Sequence, residues 1–119
     1  MYDKQNIFAK ILRKEIPCKK VYENDYVLAF HDVTPQKKIH VLLIPKGEYV
    51  DLDHFIESAS EKEIIEFNKG IINVVKILKI SSKENGYRVL SNIGLDSGQE
   101  VRHLHYHIFG GEKVGKMVS

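Results

Sequence analysis

The chain has 119 residues, a formal charge of +2 and 43% hydrophobic residues, which fits one compact domain over residues 1–119 and argues against disorder. The basic excess is slight and scattered, with none of the stripe that nucleic acid requires. No apolar run approaches the roughly 20 residues of a membrane span, and "MYDKQNIFAK" lacks the apolar segment of a signal peptide. The lone cysteine, Cys18, excludes an intramolecular disulfide and a cysteine-built zinc site, so the expected setting is reducing and cytoplasmic.

In chain order, "NIFAKILRK" places Ile7, Phe8, Ile11 and Leu12 on one helical stripe. Asn6 is a candidate cap, and "EIP" ends the helix because the residue before Pro17 disfavours it. "KVYEN" and "YVLAFHDV" read as an antiparallel hairpin around the turn "ENDY", stopped by Pro35. "IHVLLIP", Ile39 to Pro45, is a strong apolar strand, followed by a loop with a short helical turn near "DLDHF". From about Ser60 to Leu78 the period is helical, with Ile64, Phe67, Ile71, Val75 and Leu78 on one stripe and Ile65, Ile72 and Val74 off it. Ser60 with Glu63, or Ser58 with Glu61, makes a capping box. Gly70 costs this helix about 1 kcal/mol against alanine, which implies a close neighbour. "YRVLSNIG" is a further strand, "LDSGQE" a loop, and "VRHLHYHIFGG" the last strand. The expected architecture is α+β, an antiparallel sheet of about five strands with two main helices.

"HLHYHIF" carries the chemistry. On a strand, His103, His105 and His107 share one face at roughly 6.6 Å spacing, and Leu104, Tyr106 and Ile108 share the other. Zinc fits poorly. The outer pair would be about 13 Å apart on a regular strand, and no cysteine pair stands nearby to complete a tetrahedral site. Three core histidines would each need partners for two ring nitrogens. Nucleophilic catalysis at phosphorus fits better, because a neutral imidazole is a nucleophile near pH 7 and its neighbours can orient it or donate protons. Upstream, Gly94 and Gly98 can bring backbone N–H groups to an anion, with Asn92 and Gln99 as neutral donors. A neutral nucleophile beside a protonated donor gives a bell-shaped pH profile.

"IFAKILRKEIP", "VLAFHDVTPQ", "HVLLIPK", "GYRVLSNIG" and "SGQEVRHLHYHIFGG" together resemble the histidine-triad (HIT) superfamily, in its Hint branch of nucleotide-binding proteins. The resemblance implies the HIT-like fold and a purine-nucleotide hydrolase, a nucleoside 5′-phosphoramidase working through a covalent nucleotidyl-histidine. The alternatives are a nucleotide-binding scaffold with vestigial hydrolysis and a dinucleoside polyphosphate hydrolase. It implies His105 as nucleophile, His103 and His107 as its neighbours, and His40 as a fourth, supporting histidine. Asn92, Gly98 and Gln99 would face the phosphate, and Asp32 the ribose hydroxyls. Ile7, Phe8, Ile11, Phe30 and Val33 would form the base pocket.

Plainer readings stand beside these. Phe8, Ile11 and Phe30 fit a core as well as a pocket, Asp32 fits a turn, and His40 fits an ordinary edge histidine. His31 and His54 match nothing in the motif and read as surface. No metal or cofactor is expected. The expected partners are a purine nucleoside monophosphate or its phosphoramidate, and a second copy of the chain, docked through the Ser60–Leu78 helix and "YRVLSN". Two positions depart from animal Hint proteins. Glu100 stands where many of those carry a small hydroxyl residue, and the tail "GEKVGKMVS" lacks their Trp-Pro ending.

Overall fold

The computed structural model describes residues 1–117. Its elements follow the order α1 (Ile7–Leu12), β1 (Lys20–Glu23), β2 (Val27–His31), β3 (Ile39–Pro45), α2 (Leu52–Ser58), α3 (Glu61–Leu78), β4 (Arg88–Leu90) and β5 (Tyr106–Gly110). The five strands form one antiparallel sheet, ordered β1-β2-β3-β5-β4. This is the α+β, HIT-like fold the sequence implies. The turn near "DLDHF" is a full short helix, capped by the Asp51 side chain accepting from the His54 backbone N–H.

The period of two along the central strands sorts their side chains onto two faces. Val27, Ala29, Val41, Leu43 and Ile108 pack with Phe55, Phe67, Val74 and Val75 into one buried cluster under α2 and α3. Leu28, Phe30, Leu42 and Ile44 pack on the opposite face with Phe8 and Ile11 of α1. Val74, read from the helical stripe as lying outside it, is fully buried in the first cluster, because that cluster spans a wider arc than one narrow stripe. Gly70 has its close neighbour: a Cβ there would meet Val27 Cγ2 at 3.3 Å and Leu43 Cδ1 at 3.6 Å. The capping box resolves to Ser60 and Glu63, each side chain bonding the other's backbone N–H.

Two strands are shorter than the residue pattern. "YRVLSNIG" contributes only Arg88–Leu90 to the ladder, and the last strand starts at Tyr106. His103 and His105 therefore precede β5. The Leu104 N–H bonds the Tyr49 carbonyl at 2.7 Å, and Ser91 Oγ donates to the His105 carbonyl at 2.8 Å. The alternation survives because loop contacts replace the strand partner: Leu104 is buried in the α3-side cluster, and the imidazoles lie on the other face.

Candidate active site

A cavity of about 410 Å³ opens on the α1 face of the sheet. Ile7, Phe8, Ile11, Phe30 and Val33 line one part of it, and Asp32, His40, Asn92, Gly98, Glu100, His105 and His107 another. Asn6 caps α1 through its side-chain oxygen, which accepts from the Ala9 N–H at 2.9 Å. That cap fixes the turn carrying Phe8, whose ring meets Phe30 and His105 edge to face at 5.7 and 5.0 Å. Phe8, Ile11 and Phe30 are buried, so they are core and cavity wall at once, whereas Ile7 and Val33 are exposed at the rim.

Hydrogen bonds fix the proton on four of the rings, His40, His103, His105 and His107. A carbonyl oxygen only accepts, so a ring nitrogen bonded to one must carry hydrogen. His105 donates Nδ1–H to the His103 carbonyl at 2.8 Å, which leaves Nε2 with a bare lone pair. His103 donates Nε2–H to the Pro45 carbonyl at 2.9 Å, and its Nδ1 accepts from the Tyr2 hydroxyl at 2.6 Å. On β3, His40 accepts the Gln36 backbone N–H at Nδ1 (3.1 Å), so its proton sits on Nε2. That proton goes to His107 Nδ1 at 2.8 Å, the shorter of two contacts, with Asp32 Oδ2 at 3.4 Å from the same nitrogen. His107 then carries its own hydrogen on Nε2. No side-chain nitrogen or oxygen sealed from solvent lacks a partner among the described residues. The partnerless His105 Nε2 is therefore reachable from the cavity that His105 lines.

Burial favours the neutral form of these rings. Burial pushes His103 down to about 4. It also pushes His107 down to about 4, helped by the neighbouring His105 and His40 rings. Burial lowers His105 and His40 as well, opposed in both cases by the Asp32 carboxylate. Burial thus works against the protonated donor expected from the sequence.

Several expected residues sit elsewhere than the spacing implied. The His103 ring does not line the cavity. It is fully buried with both nitrogens satisfied, and only its backbone carbonyl touches the nucleophile candidate. Gln99 does not line the cavity either. Its side chain accepts from Gly94 N–H (3.2 Å) and donates to the Val50 and Val101 carbonyls (2.8 and 3.1 Å), so it staples the loop. The backbone N–H groups of Gly98 and Gln99 bond the Leu95 and Gly94 carbonyls, which leaves neither free for an anion. Asn92 lines the cavity with no hydrogen bond among the described residues. Asp32 is both turn and site residue: Oδ1 accepts from Thr34 N–H (2.8 Å) and Oγ1 (3.2 Å) while Oδ2 faces His40. His40 is no edge residue, since β3 is the middle strand. His54 is half-buried and accepts the Val50 N–H, whereas His31 is exposed at the cavity mouth.

The tail is pinned by Arg88, which donates to the Gly115 and Lys116 carbonyls. None of its described residues lines the cavity, and Val118 and Ser119 lie outside the described residues. Tyr2 and Ser91 escape sequence reading. Tyr2 lies 101 positions from the ring it caps, and Ser91 is an ordinary serine after a strand.

Asp32, His40 and His107 bring one potential ligand atom each within 4.8 Å of one another. A cation there would have to displace the proton that His40 and His107 share.

Residues 13–114 match the HIT domain family. A HIT-like protein of Azospirillum brasilense is 50% identical over 118 residues, 99% of this chain and 95% of that one. Among solved structures, a HIT family hydrolase from Clostridium thermocellum is 33% identical with a TM-score of 0.83, covering 98% of this chain and 99% of that one. A histidine triad nucleotide-binding protein from Candida albicans is 31% identical with a TM-score of 0.77, covering 87% of this chain and 73% of that one. With its triad on the site face of this sheet, the chain belongs to the HIT domain family.

Proposed function

We propose that this protein is a purine nucleoside 5′-phosphoramidase of the Hint type. The observation that carries the reading is the bare Nε2 of His105, held in that tautomer by a main-chain carbonyl and reachable from a cavity with an apolar wall. The C. thermocellum hydrolase and the C. albicans nucleotide-binding protein support hydrolysis and nucleotide binding. The base lies between Phe8, Ile11 and Phe30, with Ile7 and Val33 at its edge, and Asp32 accepts from the ribose hydroxyls.

His105 Nε2 attacks the α-phosphorus while the P–N bond breaks. Its Nδ1–H stays on the His103 carbonyl, so the intermediate is a phosphoryl-imidazolium, a good leaving group. The expelled amine needs a proton. Anion binding counters the burial that lowers the His40–His107 pair, so the pair takes up one proton with the substrate, steadied by Asp32. His107 passes it to the leaving nitrogen. Water then attacks phosphorus, His107 takes the water's proton, and the His105–P bond breaks. His107 Nε2–H and the Asn92 amide meet the non-bridging oxygens, the part expected from Gly98 and Gln99.

His105→Ala should abolish turnover of an adenosine phosphoramidate, by about a thousandfold or more, with purine monophosphate binding retained. Mass spectrometry of a quenched reaction should place the nucleotidyl label on His105, and a label on His107 would sink the mechanism. Wild-type turnover no higher than that of His105→Ala would leave the scaffold reading, with binding as the function. We also propose a homodimer. Ile65 and Ile72, exposed one heptad apart on α3, and the open edge of β4 supply its surface. Light scattering at micromolar concentration should give twice the chain mass.

A further inference from the structure

Among the described residues no lysine or arginine lines the 410 Å³ cavity, yet two carboxylates do, Asp32 and Glu100. Of the imidazoles that line it, His40, His105 and His107 are held below their ordinary values by burial. A site for a phosphate ester would ordinarily be built with fixed cations. This one has two carboxylates in its own lining, and Lys19 and Lys38 belong to the adjoining hollow beyond Asp32 and His40. The two carboxylates are not alike. Asp32 is committed to Thr34 and stands beside His40. Glu100 makes no hydrogen bond and no ion pair among the described residues, lies exposed, and still reaches His105 electrostatically. Glu100 lies on the loop that leads into His105, across from no fixed cation of the cavity lining, so its charge acts at the ring where the groups on phosphorus are exchanged.

Resting on the phosphoramidase reading, we propose that Glu100 sets leaving-group specificity by charge. It favours phosphoramidates whose leaving amine carries a second, protonated amino group, and it disfavours those whose leaving group is anionic. A fixed carboxylate attracts a cation on the departing fragment and repels an anion, and it does so more strongly in a half-enclosed cavity than in open water. A polyphosphate leaving group, with several negative charges, is the least suited to this site. A dinucleoside polyphosphate is therefore a poor substrate for a reason visible in the charge balance of the cavity.

The test uses three matched adenosine 5′-phosphoramidates at pH 7, with leaving amines that differ only in a terminal ammonium, methyl or carboxylate group. In the wild type, kcat/KM should fall in that order, by about three- to tenfold per unit of charge. In Glu100→Gln, which keeps the shape of the side chain, the ratios should collapse to within about twofold of one another. A flat order in the wild type, or the same order in the variant, overturns the proposal. The same ranking is expected in dissociation constants measured by calorimetry on His105→Asn, which cannot turn the compounds over. A flat or inverted ranking there overturns the charge selection. The expected ranking there without wild-type turnover upholds the charge selection and overturns only the phosphoramidase reading.

Discussion

The two faces of the central strands are built from the same seven-residue run by opposite rules. Along Ile39–Pro45, Val41 and Leu43 turn to α3, while His40, Leu42 and Ile44 turn to α1 and the cavity. On the α3 face the contacts are shape alone. Val27, Ala29, Val41, Leu43 and Ile108 are fully buried, and Gly70 lets the helix settle onto Val27 and Leu43. On the other face the buried groups include His40, His103 and His105, and each imidazole is tied by a hydrogen bond that sets its proton. The α3 face determines whether the sheet holds together, and the α1 face determines in which protonation state its imidazoles wait. Apolar burial is non-directional and fills space. A tautomer is directional and needs a named acceptor at a named atom.

That division can be broken from either side. His105→Ala is the largest expected effect, a loss of turnover on the scale given above, read per folded molecule. Its mirror image is Leu43→Ala on the α3 face. Removing a fully buried leucine should cost about 3 kcal/mol in denaturant unfolding, within the usual range for such cavities. Turnover per folded molecule should stay within about twofold. A Leu43→Ala protein that is stable but catalytically crippled would show that the two faces are not independent.

Acidification from pH 7.5 to about 5 should act chiefly on the imidazole face, before the carboxylates Glu23 and Glu63 begin to titrate in the unfolded chain. His103 falls from an ordinary value near 6.5 to about 4 on burial. Between those values the unfolded chain binds the proton and the folded chain does not. The stability is therefore complete above about pH 6.5 and is lost as the pH falls toward 4. For this fully buried ring the loss amounts to about 3 kcal/mol. His107 adds in the same direction, by less, since it is partly open to solvent. Denaturant midpoints measured from pH 7.5 to 4 should show the decline, and His103→Asn should flatten it. A flat wild-type profile would mean that His103 takes up its proton without unfolding.

The smallest effect sharpens the comparison. Tyr2→Phe removes the hydroxyl that donates to His103 Nδ1 at 2.6 Å. It should cost about 1 kcal/mol of stability. By NMR the His103 Nδ1 resonance should shift as its donor is lost, with Nε2–H still on the Pro45 carbonyl, while the His105 Nδ1 proton stays hydrogen-bonded, because it depends on a carbonyl and not on the His103 ring. A change at His105 as large as at His103 would show the ring to be the true support.

Much of this was legible in the sequence because periodicity reports burial. The apolar run of β3, the helical stripe of α3 and the Asn6 cap each depend on residues within a few positions. The failures share a cause. The alternation of Val101–His105 mimics a strand, but its backbone partners are the Tyr49 carbonyl and the Ser91 hydroxyl, far away in sequence. Gly98 and Gln99 look like a cradle, yet their N–H groups close the loop on itself and the Gln99 amide staples it to Val50. Val74 was misplaced because a sheet covers more of a helix than a single stripe. Local pattern shows which face a side chain takes, and only the folded chain shows which atoms its polar groups find.

Three of the contacts that set the imidazoles come from the main chain: the Pro45 carbonyl, the His103 carbonyl and the Gln36 N–H. Point mutation replaces side chains and leaves those atoms in place. The reactive state of His105 is thus inherited through the path of the backbone, not through a partner residue that could drift. Side chains around the cavity rim, Glu100 included, can be exchanged without touching the main-chain atoms that hold the His105 tautomer.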